Sequence, residues 1–127
     1  MKTLIIGGTG FLGSEITRVL VGRGDQVMLM ARGNKPNAFP QLQFVACDCS
    51  DPAAFASAVG GRTFDLVVDC AGYRRADMVA VAPTLTGRVG HFVFISTDFT
   101  YSPQIVEFPI REDAAKETER PYGVGKL

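Results

Sequence analysis

With 127 residues, 46% of them hydrophobic and 20% charged, the chain has enough apolar matter for one core and too little length for two ordinary domains. Lysine plus arginine number 13 and aspartate plus glutamate 13, so the formal net charge is zero and no global field draws in nucleic acid or an anionic membrane. The 3 cysteines and 1 histidine, with no Cys-x-x-Cys, offer no metal-ligand set and fit a reducing, cytoplasmic compartment.

The amino terminus starts like a secretory leader, but Gly7, Gly8 and Gly10 break the apolar run too early, and no stretch approaches a transmembrane helix. A strand expected over residues 3–6 runs straight into Gly7-Gly8-Thr9-Gly10-Phe11-Leu12-Gly13. Such a turn suits a dinucleotide pyrophosphate. Gly8 and Gly10 let the chain turn tightly and approach the phosphates, and Gly13 lets the next helix lie close to the strand. That helix, over residues 11–23, would aim its unpaired N–H groups and positive dipole end at the anion. It is amphipathic, with Ile16, Val19 and Leu20 against Glu15, Arg18 and Arg23.

Past Gly24-Asp25 a second strand is expected over residues 26–30, ending at Arg32. Arg32 stands roughly 20 residues beyond the turn, where an NAD-preferring site carries an acid against the ribose 2′-hydroxyl. A guanidinium there grips a 2′-phosphate instead, with Lys35 close enough to help, so the expected cofactor is NADP(H) over NAD(H). A polar surface loop over residues 33–40 leads to a third strand, 42–46, and to Asp48 and Cys49 at its carboxyl end. Asp48 can accept from an adenine amino group or simply form a turn. Asp51-Pro52 starts a helix over residues 52–59, and Gly60-Gly61 stops it.

A fourth strand over residues 66–69 delivers Cys70-Ala71-Gly72, a helix follows over 75–85, and a fifth strand over 92–96 delivers Ser96-Thr97-Asp98. This alternation is that of a Rossmann-type α/β fold: a doubly wound parallel sheet of order 3-2-1-4-5, with its ligand crevice outside the carboxyl ends of strands 1 and 4. The glycine turn, Arg32, Asp48, Cys49, Ala71 and Gly72 all fall on that side and are the cofactor-binding candidates. The charges of residues 111–120 read as a solvated loop. If Pro121 opens a helix, the spacing of Tyr122 and Lys126 puts both on one face, where an ammonium favours the ionised phenol needed for acid–base work. Thr97 supplies a neighbouring hydroxyl. The catalytic candidates are Tyr122, Lys126 and Thr97.

Taken together, Gly7 to Gly13, Asp48, Ile95-Ser96-Thr97-Asp98, and Tyr122 with Lys126 resemble the front half of an extended or atypical short-chain dehydrogenase/reductase of the epimerase/dehydratase type. The resemblance implies that Tyr122 transfers the proton and that Lys126 orients the nicotinamide ribose. Thr97 would hold the substrate oxygen while hydride passes to or from the carbon. The implied activity is that of an NAD(P)-dependent oxidoreductase or epimerase working on a carbonyl or secondary alcohol of a small molecule, a sugar nucleotide among them. Phe99 stands where sugar-nucleotide dehydratases carry Glu, which speaks against dehydration. From Arg74 to Tyr101 the chain is also similar to the chloroplast stem-loop RNA-binding relatives; the alternatives are a non-catalytic NADP(H)-binding redox-sensing regulator and, less favoured for want of net positive charge, an RNA-binding relative. Relatives run well past Leu127. The chain is therefore expected to be a truncated form: one dinucleotide-binding domain over residues 1–127, without the substrate-binding part, weak or inactive, and a homo-oligomer because strand 5 shows an open edge.

Overall fold

The computed structural model describes residues 1–105 and 107–127, which form two compact units. The first comprises Met1–Gly72 and Ala76–Ile95, the second Tyr73–Arg75 and Ser96–Leu127.

The first unit is the expected sheet. Strands β1 (Lys2–Ile6), β2 (Gln26–Ala31), β3 (Gln43–Ala46), β4 (Phe64–Asp69) and β5 (Val89–Phe94) are all parallel in the order β3-β2-β1-β4-β5. Helices α1 (Phe11–Gly22), α2 (Pro52–Val59) and α3 (Arg75–Leu85) make the crossovers. Both faces of a parallel sheet are covered, so its strands read as continuous apolar runs. Leu4, Ile6, Met28, Met30 and Val67 pack with Phe55 and Val59 of α2 and with Val81 and Leu85 of α3. Ile5, Val27 and Leu29 pack with Leu20 and Ile16 of α1 on the other face. The α2 start is as read from the sequence: Asp51 accepts from the N–H groups of Ala53 and Ala54 at 2.9 and 3.1 Å, with proline in the first turn and Gly60 closing the helix at φ +58°.

The fifth strand differs from expectation. It runs over Val89–Phe94 and stops before Ser96. Its ladder begins where Phe64 pairs with Val89, and Gly90, which weakens a strand by propensity, is there because a Cβ would stand 2.9 Å from the Asp65 carbonyl oxygen.

Register decides where function can sit. Ile6 is level with Met30 and with Asp69, Ala31 with Ala46, and Asp69 with Phe94, so all five strands end within one residue of one another. The chain leaves the sheet at Gly7, Arg32, Cys47, Cys70 and Ile95 along one rim, and the strand order reverses between β1 and β4 at its centre.

In the second unit a 3-10 turn (Asp98–Thr100) leads to Tyr101, which forms an antiparallel bridge with Lys116. The Ser102 N–H donates to Ala115 O at 2.9 Å, and the Glu117 N–H to Thr100 O at 2.8 Å. Helix α4 (Pro121–Gly125) closes the unit on the 3-10 turn.

Candidate functional site

At the centre of the rim stands the glycine turn. Gly7 is the residue with the left-handed backbone, φ +81°, and its N–H continues the ladder to Met30 O at 2.7 Å. Gly10 is the residue before α1, and its N–H donates back to Gly7 O at 2.9 Å. The tight turn thus belongs to Gly7, since neither Gly8 nor Gly10 has positive φ. Gly8 is there for packing: a Cβ would meet Leu29 Cδ2 at 2.7 Å. At Gly13 a Cβ would fall 2.2 Å from Gly7 O, so only glycine lets α1 lie this close to the turn.

Among the described residues no side chain caps α1, whereas α2 has the Asp51 carboxylate in that place. Orphan N–H groups and the positive helix dipole therefore face outward beside Gly10, where a Cβ would have only Gly7 O within reach, at 3.2 Å. This cradle fits a phosphate or pyrophosphate. Phe11, 91% exposed, and the exposed Leu12 border it, while Thr9 and Gly10 are half-buried within it.

The next strand end is set by a residue the sequence reading passed over. Asp69 is 2% exposed, and its Oδ1 accepts from the N–H groups of Ala71 at 2.8 Å and Gly72 at 2.9 Å. The buried carboxylate folds Cys70-Ala71-Gly72 back on itself, so that Ala71 Cβ backs the glycine turn 3.0 Å from a Cβ placed on Gly7. Gly72 is equally constrained, with Phe94 Cε2 at 2.8 Å and Asp69 Oδ2 at 3.0 Å from its own Cβ position. The available signal was an acid ending an otherwise apolar strand just before small residues.

Arg32 is exposed at the end of β2, before Gly33 at φ +80°. Asp48, likewise exposed, turns its Oδ1 onto Ser50, accepting from the hydroxyl at 2.7 Å and the N–H at 3.0 Å. The Ser50 hydroxyl bond, then the Ser50 N–H, and then the charge of Arg32 hold the Asp48 carboxyl below its usual range. Asp48 is thus a turn former, its carboxylate engaged by Ser50. Cys47 is buried and Cys49 half-buried, and burial pushes both thiols up, so they stay protonated. Among the described residues no three His, Cys, Asp or Glu side chains converge on a metal-sized site, and no helix is long and apolar enough to cross a membrane.

The catalytic candidates all belong to the second unit. Thr97 caps the 3-10 turn, its hydroxyl accepting from Phe99 N at 3.3 Å and donating to Asp98 Oδ1 at 3.1 Å. Gly123 lets α4 reach that turn, because a Cβ would collide with the Phe99 carbonyl oxygen. Tyr122 is thereby set among rings, its centroid 5.7 Å from that of Tyr73 and 6.0 Å from that of Phe99, tilted by 43° and 58°. Lys126, just past the end of α4, holds its ammonium 5.5 Å from the Tyr73 centroid. Tyr73, not singled out in the sequence, so contacts both members of the pair.

Residues 111–120 are more than a solvated loop. Glu117 is 4% exposed, and its Oε1 accepts from the N–H groups of Thr118 and Glu119, both at 2.9 Å, while Oε2 accepts from Arg120 Nε. The Glu119 N–H first, then the Arg120 guanidinium, bring the Glu117 carboxyl down to about 2. Within a run of charges nothing in the sequence marks this pair as different from its solvated neighbours.

A parallel sheet with a glycine turn at its switch point and an uncapped helix behind that turn defines a Rossmann-type dinucleotide-binding fold. Residues 3–86 match the NAD dependent epimerase/dehydratase family, and the chain belongs to that family. It is 27% identical to the UDP-glucose 4-epimerase of Lactobacillus helveticus over 100% of this chain and 44% of that protein. With the 2'-dehydrokanamycin reductase of Streptomyces kanamyceticus the identity is 26%, over 100% of this chain and 36% of that one. The solved UDP-glucose-4-epimerase of Stenotrophomonas maltophila, with bound NAD and formylated UDP-arabinopyranose, superposes with a TM-score of 0.84 over 99% of this chain and 45% of that one, at 22% identity, and so shares the fold. The chain spans less than half the length of each of these three proteins.

Proposed function

We propose that the chain is the dinucleotide-binding portion of an oxidoreductase or epimerase that acts on a carbonyl or secondary alcohol, with a sugar nucleotide as the preferred substrate class. The observation that carries this reading is the packing of α4 on the 3-10 turn, which groups Tyr122 with the turn that Thr97 caps. A bound nicotinamide dinucleotide would supply or accept the hydride. Gly7, Gly8, Thr9, Gly10, Phe11, Leu12 and Gly13 would hold its pyrophosphate, and Ala71 and Gly72 would border it. Tyr122 gives its phenolic proton to the substrate oxygen on reduction and takes it back on oxidation. The Thr97 hydroxyl turns from Asp98 to hold the same oxygen, and Lys126, whose ammonium lies over the Tyr73 ring, orients the nicotinamide ribose. The epimerase and reductase relatives support redox chemistry at a carbinol carbon.

For the cofactor, an exposed Arg32 with no acid in its place supports NADP(H), while the solved epimerase carries NAD. A homo-oligomer is part of the same reading, since β5 ends the sheet order with an outer edge.

Titration calorimetry with NADH and NADPH tests the binding half of the proposal, and a nicotinamide absorbance assay with UDP-glucose tests the chemistry. Failure to bind either dinucleotide at millimolar concentration would remove the reading.

A further inference from the structure

We propose that Glu117 is a positioning residue that sets the ring of Tyr122. The inference rests on reading Tyr122 as the proton-transfer group, for which the ring's place matters. Two physical routes connect the residues. In the first, the Glu117 carboxylate orients Arg120, whose Nη2 also donates to Tyr101 O at 3.2 Å. The guanidinium so fixed lies 5.1 Å from the centroid of Phe99, and Phe99 is one of the two rings against which Tyr122 rests. In the second, Glu117 is tied to the 3-10 turn by its own N–H on Thr100 O, and its Cγ lies 2.8 Å from a Cβ placed on Gly123, the neighbour of Tyr122 in the chain. Glu117 thus reaches α4 at Gly123 and, through Arg120, the ring of Phe99.

An apolar side chain would fill the same space without dictating an orientation. A carboxylate whose oxygens take two N–H groups and one guanidinium does dictate one, because each bond fixes a direction as well as a distance. The Arg120 side chain is 41% exposed, so on losing its partner it can swing into water and leaves no unpaired charge buried. Removing the Glu117 charge should therefore leave the unit folded while Phe99 loses its cover and Tyr122 its seat.

The whole chain labelled with 3-fluorotyrosine reads this directly, with the Tyr122 fluorine signal assigned by Tyr122→Phe. In Glu117→Gln and in Arg120→Ala the Tyr122 signal should move by more than its linewidth at neutral pH, while Glu119→Gln, a change at an exposed neighbour, should leave it in place. An unmoved Tyr122 signal in Arg120→Ala and Glu117→Gln overturns the proposal. So does simultaneous collapse of the Tyr73, Tyr101 and Tyr122 signals to one unfolded position in both variants, which would make the pair a structural prop only. The chemical role of Tyr122 is judged separately by turnover in Tyr122→Phe, so the two readings fail on different measurements.

Discussion

The α-carbon of Gly13 faces the carbonyl oxygen of Gly7 so closely that a methyl group would stand 2.2 Å from that oxygen. Nothing flexible can yield there, since the obstacle is backbone. Gly13→Ala should push α1 off the turn and cost about 3 kcal/mol, the upper part of the usual range for overpacking. At Gly10 the same methyl would be 3.2 Å from Gly7 O, a contact small shifts can absorb, so Gly10→Ala should cost about 1 kcal/mol or less as a poorer helix cap. It should nevertheless lower dinucleotide affinity, because it fills the cradle. Thermal unfolding of both variants beside calorimetry with NADH checks the pair; equal stability losses would contradict the geometry.

Arg32 should decide between cofactors. A charge-assisted pair to a 2′-phosphate is worth about 1.5 to 3 kcal/mol, which is on the order of tenfold or more in affinity for NADPH over NADH. Arg32→Ala should remove the difference. Equal dissociation constants in the unaltered protein would reduce Arg32 to a surface charge.

The Glu117 carboxyl, brought down from 4.5 to about 2 by the Glu119 N–H and by Arg120, makes the second unit acid-sensitive. A depressed folded-state value means the contribution is complete above the ordinary carboxyl range and is lost as pH falls towards and through about 2. A tyrosine fluorescence titration from neutral pH downward should show this transition in the unaltered chain, and Glu117→Gln should lack it. Persistence of the same transition in the variant would assign it to another carboxyl.

Tyr122→Phe keeps the ring that packs against Tyr73 and Phe99 and removes only the hydroxyl. Stability and dinucleotide affinity should stay as they are. Turnover of a carbonyl substrate should fall by about 100-fold or more, the ordinary contribution of a positioned proton donor. Full turnover in Tyr122→Phe would move the proton transfer to another group.

By itself the sequence determined the parallel sheet, its order and the rim on which its polar residues collect. Those features follow from local signals: β-branched and apolar runs of strand length, the Asp51-Pro52 helix start, and glycines in a strand–turn–helix context. It placed the turn but not the division of labour within it. Whether a glycine serves φ, as at Gly7, or close backbone approach, as at Gly13 and Gly90, depends on what lies opposite, and that is a property of the packed chain. The same holds for the buried carboxylates. Asp69 and Glu117 look like any strand-ending or loop acid until folding takes them out of water and gives them N–H groups and a guanidinium to hold. Tertiary structure also decided that Tyr73 and Phe99 flank Tyr122, because ring neighbours from separate stretches of chain are chosen by packing, which no spacing along the sequence records.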